Sequence, residues 1–327
     1  MTLDWSVLDI DASTEIERIS VELREGAVKL LRRRGAVVAI SGGVDSAVCA
    51  ALAVRAFGPE RVLALILPEH ESSAEGESRA RSLATYLGIE PVAQDIGPAL
   101  DAIGCYRWRD EAIRRILPSY GAGWRIKITV SGGIEGRINH FRLVARSPDG
   151  TSHTVRLGLR DYLQIVAATS YKQRIRKAIE YFHADRLNYA VIGTPNRLEY
   201  DQGFFVKNGD GSADVKPIAH LYKCQVYALA KQFGLPAEVA TAAPTTDTYS
   251  LAQGQDEFYF ALPHRQMDLA LWALNHGIAP KILAEALGVS AEVAQHVYAD
   301  IRAKRRATQY LHRSAILLGP LAETDNV

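Results

Sequence analysis

Six residues without a polar side chain, Gly35-Ala-Val-Val-Ala-Ile40, lead directly into Ser41-Gly-Gly-Val-Asp-Ser46 and then into a helix-like stretch, Ala47 to Phe57. A strand that is apolar on both faces must be covered on both sides, so this run belongs inside a parallel sheet. The same grammar repeats. Val62-Leu-Ala-Leu-Ile-Leu67 reads as a second strand ending at Pro68, Gly76 to Leu87 as a helix stopped by Gly88, and Pro91 to Ile96 as a further strand. Tyr189-Ala-Val-Ile192 is another buried strand, and residues 14–33 have helical spacing with Ser13 or Thr14 as N-cap. Strands alternating with helices at this rhythm predict an α/β fold: a doubly wound parallel sheet with helices on both faces.

The rhythm breaks after Leu100. From Trp124 to Leu159 apolar residues alternate with polar ones, around the turn Ser147-Pro-Asp-Gly150. We read a small antiparallel β insertion at about 104–160 within a single domain spanning 1–327. Helical spacing resumes at Tyr162 and runs to about Ala184, and the chain from Ala219 on is mostly helical. Ser131-Gly-Gly-Ile134 repeats the start of the earlier glycine loop, but Glu135-Gly136 follows and no helix does, so it reads as a hairpin turn.

The loop at 41–46 carries the chemistry. Its two glycines let a ligand approach the backbone, Ser41 and Ser46 add hydroxyls, and the helix that follows has an N-terminus that favours anions. It lacks the lysine of a G-x-x-x-x-G-K-[ST] loop and is not a G-x-G-x-x-G pattern. Asp45 would repel a polyphosphate unless a hard cation lay between, so Mg²⁺ is expected. Glu199 also follows a buried strand, and adjacent parallel strands lie ~5 Å apart, so both acids can face one crevice.

The 38 basic and 37 acidic residues leave a net charge of +1, which gives no global pull toward nucleic acid or a membrane surface. Arg302, Lys304, Arg305 and Arg306 form one short cluster of the kind usually found on a solvated helix face. No apolar run approaches the ~20 residues of a membrane span, and no signal peptide is evident. Three scattered cysteines suit neither a disulfide framework nor a zinc cage, so a cytoplasmic setting is expected.

The S-G-G-x-D-S loop resembles the pyrophosphate loop of the N-type ATP pyrophosphatases, which implies an adenine nucleotide alpha hydrolase-like fold and cleavage of ATP between its α and β phosphates. Gly193-Thr-Pro-Asn-Arg-Leu-Glu199, Gly203-Phe-Phe-Val-Lys207, Gly209-Asp-Gly-Ser-Ala-Asp214, Pro217 and Leu221-Tyr-Lys223 then follow in the order and spacing seen in NAD synthetases. The chain thus resembles the NAD synthetase family over roughly 13–100 and 162–318.

The resemblance implies ATP binding by Ser41, Gly42, Gly43, Val44, Asp45, Ser46, Arg79 and Thr194, and Mg²⁺ on Asp45 and Glu199. Arg79 reads equally as a solvated helix charge. Asp45, Lys223 and Asp210 would be catalytic. Arg174, Lys207, Asp210, Asp214, Lys223 and His312 would bind the second substrate, with Asp214 equally readable as a local turn residue. Lys172, Arg174 and Arg176 match the family's basic helix, yet their spacing prevents all three from sharing a face. Gln255-Asp-Glu257 and Leu262-Pro263 match a closing loop.

The implied activity is adenylation of the nicotinate carboxylate of deamido-NAD and its amidation by ammonia to NAD⁺, AMP and pyrophosphate. The implied assembly is a homodimer. No stretch outside the synthetase-like region has room for glutamine hydrolysis, so free ammonia or a separate ammonia-supplying protein is expected. The β insertion, Pro195, Arg197 and the Tyr310-Leu-His-Arg313 end depart from the family pattern, which keeps open an amide ligase for another small carboxylate. A tRNA-modifying pyrophosphatase is the further alternative.

Overall fold

A computed structural model describes residues 3–131, 140–242, 248–254, 259–260 and 262–319. Four parallel strands, β1 (Ala36–Ala39), β2 (Val62–Ile66), β3 (Val92–Ala93) and β7 (Ala190–Val191), form a sheet in the order β3-β2-β1-β7. Ala36 pairs with Val62 on one side and with Ala190 on the other.

Alternation along these strands explains the unbroken apolar runs. Ala36, Val38, Ala64, Ile66 and Ala190 face a core shared with α1 (Ala12–Glu25), α2 (Val44–Phe57) and α8 (Lys223–Gln232). Val37, Leu65 and Val191 face the other way, toward α4 (Gly97–Ala102), α5 (Cys105–Ile116) and α6 (Leu159–Leu187). The doubly wound expectation therefore holds, with three boundaries corrected. The N-cap of α1 is Asp11, whose carboxylate accepts the N–H groups of Ser13 and Thr14. The third strand pairs over two residues only, and α3 (Ala74–Leu87) starts on the Ser73 cap.

The insertion is not all β. Residues 105–116 form α5, and the antiparallel strands β4 (Arg125–Ser131), β5 (His140–Arg146) and β6 (Ser152–Arg156) follow it. Period-two reasoning cannot see a helix whose apolar residues are sparse. Only Cys105, Arg109, Ala112 and Ile113 of α5 are buried. The small sheet turns Ile126, Ile128, Leu143 and Ala145 onto Ala112 and Ile113 of α5 and Ile165 of α6, making a separate apolar cluster. The Ser-Gly-Gly repeat from residue 132 on lies outside the described residues.

A further cluster joins α7 (Arg197–Gln202) to α10 (His264–Asn275), α11 (Pro280–Leu287) and α12 (Ala291–Thr308). No helix among the described residues is long and apolar enough to cross a membrane.

Candidate active site

After β3 the chain crosses to the opposite side of β1, so the winding direction reverses between β1 and β7. Open α/β sheets place ligands beyond the carboxyl ends of the strands at such a switch. The segments that leave β1 and β7 there are Ser41–Ser46 and Gly193–Glu199. Both line one cavity of 1110 Å³.

The first segment is a backbone nest. Gly42 has φ +81°, and a Cβ there would lie 2.4 Å from the Gly76 carbonyl oxygen, so only glycine fits. Ser46 Oγ donates to the Gly43 carbonyl (3.0 Å), and Ser41 Oγ accepts the Gly43 N–H (3.3 Å). Gly43 then caps α2 without a side chain, which leaves that helix's first N–H groups directed outward. Arg79 Nε donates to the Gly42 carbonyl (3.2 Å), so this cation braces the nest while lining the cavity.

Asn196 joins the two acids. Its Nδ2 donates to Asp45 Oδ1 (3.1 Å), its Oδ1 accepts the N–H groups of Leu198 and Glu199, and its own N–H donates to Glu199 Oε2 (3.1 Å). Asn196 is 1% exposed. Sequence reading singled out its neighbours and missed it, although Asn196-Arg-Leu-Glu199 is a legible capping box.

Lys223 Nζ ion-pairs with Asp45 Oδ2. Burial alone would lower the Lys223 pKa, but the carboxylates of Asp45 and Glu199 overcome it and hold the ammonium charged. Cys49, behind the loop, is fully buried; burial and the same two carboxylates push its thiol well up, so it is an inert core group as expected.

A second polar cluster lies on the same wall. Lys177 Nζ donates to Glu180 Oε2 (2.7 Å), and Asp210 Oδ1 accepts the Val206 N–H (2.8 Å). Desolvation pushes the carboxyls of Glu180 and Asp210 up, against the pull of Lys177 on both. Lys172 is buried between Glu69 and Glu71, and Arg176 donates to the Leu67 carbonyl (3.1 Å).

Ser41, Gly43, Val44, Asp45, Ser46, Arg79, Thr194, Glu199, Asp210 and Lys223 thus share the cavity, with Gly42 shaping the nest from behind. Four expected substrate residues do not line it. Asp214 accepts the Val191 N–H (2.8 Å) and the Tyr181 hydroxyl (3.2 Å), so it anchors β7. Arg174 is exposed and donates to the Lys207 carbonyl (3.3 Å). Lys207 holds the carbonyls of Tyr310 and Arg313, and His312 packs edge-on against Tyr200 and Phe205. Each of the four holds a neighbouring chain segment, a contact that sequence spacing alone does not show. Of the closing-loop match, residues 255–257 lie outside the described residues, while Leu262 is a buried core residue.

A phosphate nest at a sheet switch point, flanked by two carboxylates and a buried lysine, defines an α/β nucleotide-binding protein. The family model for NAD synthase matches residues 15–115 and 151–309, and the chain belongs to that family. It is 54% identical to an NH(3)-dependent NAD(+) synthetase of Mesorhizobium japonicum, over 97% of this chain and all of that one. It is 52% identical to the protein of the same name from Rhizobium meliloti, over 97% of this chain and 95% of the relative. Its fold is similar to that of an NH3-dependent NAD synthetase from Campylobacter jejuni (TM-score 0.62, 22% identity, 95% and 100% coverage). An NMN synthetase from Francisella tularensis is comparably similar (TM-score 0.62, 23% identity, 94% and 99% coverage).

Proposed function

We propose that the chain is an ammonia-using NAD synthetase. It binds ATP with the polyphosphate on the nest at 41–46, and the nicotinate carboxylate of deamido-NAD attacks the α-phosphorus. The bond between the α-phosphorus and the bridging oxygen breaks, pyrophosphate leaves, and AMP stays on the carboxylate oxygen. Ammonia then attacks the carbonyl carbon, loses a proton, and expels AMP to give NAD⁺. The observation that carries this reading is Asn196 drawing Asp45 and Glu199 to one cavity beside the nest and Lys223.

Each side chain has a defined task. The nest N–H groups and Lys223 offset charge that gathers on the departing pyrophosphate. Asp210, with its raised pKa, accepts the proton that ammonia sheds. Two carboxylates with no third acid beside them among the described residues suit Mg²⁺, which takes one or two protein carboxylates and completes its shell with phosphate and water. Bound by Asp45 and Glu199, Mg²⁺ would neutralise the polyphosphate. The same reading takes the active form as a cytoplasmic homodimer.

The test is a coupled assay for NAD⁺ from deamido-NAD, ATP and ammonium. NAD⁺ with equimolar AMP is expected. ATP turnover only with a different carboxylate would overturn the assignment of substrate.

A further inference from the structure

Residues 116–150, which the family model leaves unmatched, contribute to the cavity that holds the acids. On β4, Ile126, Ile128 and Val130 share a face, and on β5 so do Phe141, Leu143 and Ala145, with Val130 paired to Phe141. The inner members of this row are fully buried in the insertion's own core. The last pair, Val130 and Phe141, sits at the edge of the row and lines the cavity, with Phe141 half-buried against the core behind it. Phe141 stacks on Tyr162 of α6 with centroids 3.8 Å apart and planes 16° apart. Both rings line the cavity, so the stacked pair adds preformed aromatic surface to its wall.

Position along α6 shows what this surface can meet. Tyr162, Val166, Thr169, Gln173 and Arg176 all line the cavity and recur every three or four residues, the spacing of one helix face. Arg176 sits at the carboxyl end of β2, level with the nest. Tyr162 lies about 21 Å further along the helix axis at about 1.5 Å per residue. A nucleotide whose phosphates sit on the nest does not extend that far, whereas a dinucleotide whose reacting carboxylate points at the nest does.

We propose that Phe141, Tyr162 and Val130 form a stacking platform for the flat ring of the carboxylate substrate remote from its carboxylate. These are specificity-determining residues, and the ring is the adenine of deamido-NAD. The assignment rests on the synthetase reading above. It makes the insertion part of the substrate pocket rather than surface decoration.

The test uses the full chain with Phe141→Leu, which keeps apolar volume and loses the aromatic face, and Phe141→Tyr, which restores it. For Phe141→Leu, KM for deamido-NAD should rise roughly tenfold, as for loss of one stacked base, while kcat and the KM for ATP stay within about twofold. Phe141→Tyr should return KM to near the wild-type value. An unchanged KM, or equal losses for both substrates, would overturn the platform. Calorimetric Kd values for deamido-NAD need no turnover. If the wild type makes no NAD⁺ yet binds deamido-NAD and loses that binding in Phe141→Leu, the synthetase reading fails and the platform stands.

Discussion

Asp45 serves as an ion-pair partner for Lys223 and as a proposed cation ligand, so its replacement must be chosen with care. Removing the carboxylate altogether strands a buried ammonium, at a cost of about 3–5 kcal/mol in stability. Asp45→Asn keeps a polar partner. It should lower kcat by roughly 10²–10³ while ATP binding, read by calorimetry, changes far less. Asn196→Ala should lower kcat with little change in either KM, because Asn196 bonds the two acids from behind and does not itself line the cavity. Equal losses in ATP affinity would instead mean that Asn196 binds nucleotide directly. Asp210 gives a pH test. Burial raises its pKa, so it stays protonated to a higher pH than an ordinary carboxyl and cannot accept ammonia's proton there. Expressed per free ammonia, wild-type kcat/KM should fall on the acid side. Asp210→Asn should be slower and lack that limb, and an intact limb would assign it to another group.

Single elements are held by contacts from afar, and α8 is the clearest case. Its first residue is Lys223, and its cap comes from another helix: Asp268 of α10 accepts the N–H groups of Lys223 (3.0 Å) and Cys224 (2.8 Å). Burial pushes the Asp268 carboxyl from 3.8 up to about 6, against the pull of those N–H groups. The folded state therefore holds this proton more tightly than the unfolded chain does. The stability it contributes is present below about pH 4 and is lost as pH rises through about 6, on the order of 3 kcal/mol. Asp268→Asn should remove that slope from the difference in denaturant midpoints between pH 4 and 7. The main strands were legible in sequence because their apolar runs exceed what one face can bury. Helix α5 was not, because its burial is decided by α6, the main sheet and the small sheet together. Likewise, Asp214, Arg174, Lys207 and His312 sit in motif-like stretches, and only the tertiary structure shows which chain segments they hold.

For the whole molecule the proposed nitrogen source and metal make a joint prediction. NAD⁺ should form with ammonium and not with glutamine. EDTA should stop pyrophosphate release, and excess Mg²⁺ should restore it. In solution the chain should run at twice its 35.9 kDa mass. Leu159, Leu163 and Phe182, exposed along α6, are apolar surface available to a second copy. Light scattering that gives a monomer at working concentration, with full activity, would refute the dimer. The sequence by itself determined the parallel sheet, the nest and the pair of acids, because strand periodicity, glycine geometry and charge beside phosphate are local constraints. The tertiary structure alone decided that Asn196 links those acids, that four motif residues are tied to other chain segments, and that the insertion lines the cavity. Those outcomes depend on which distant segments meet, and no local pattern encodes the meeting.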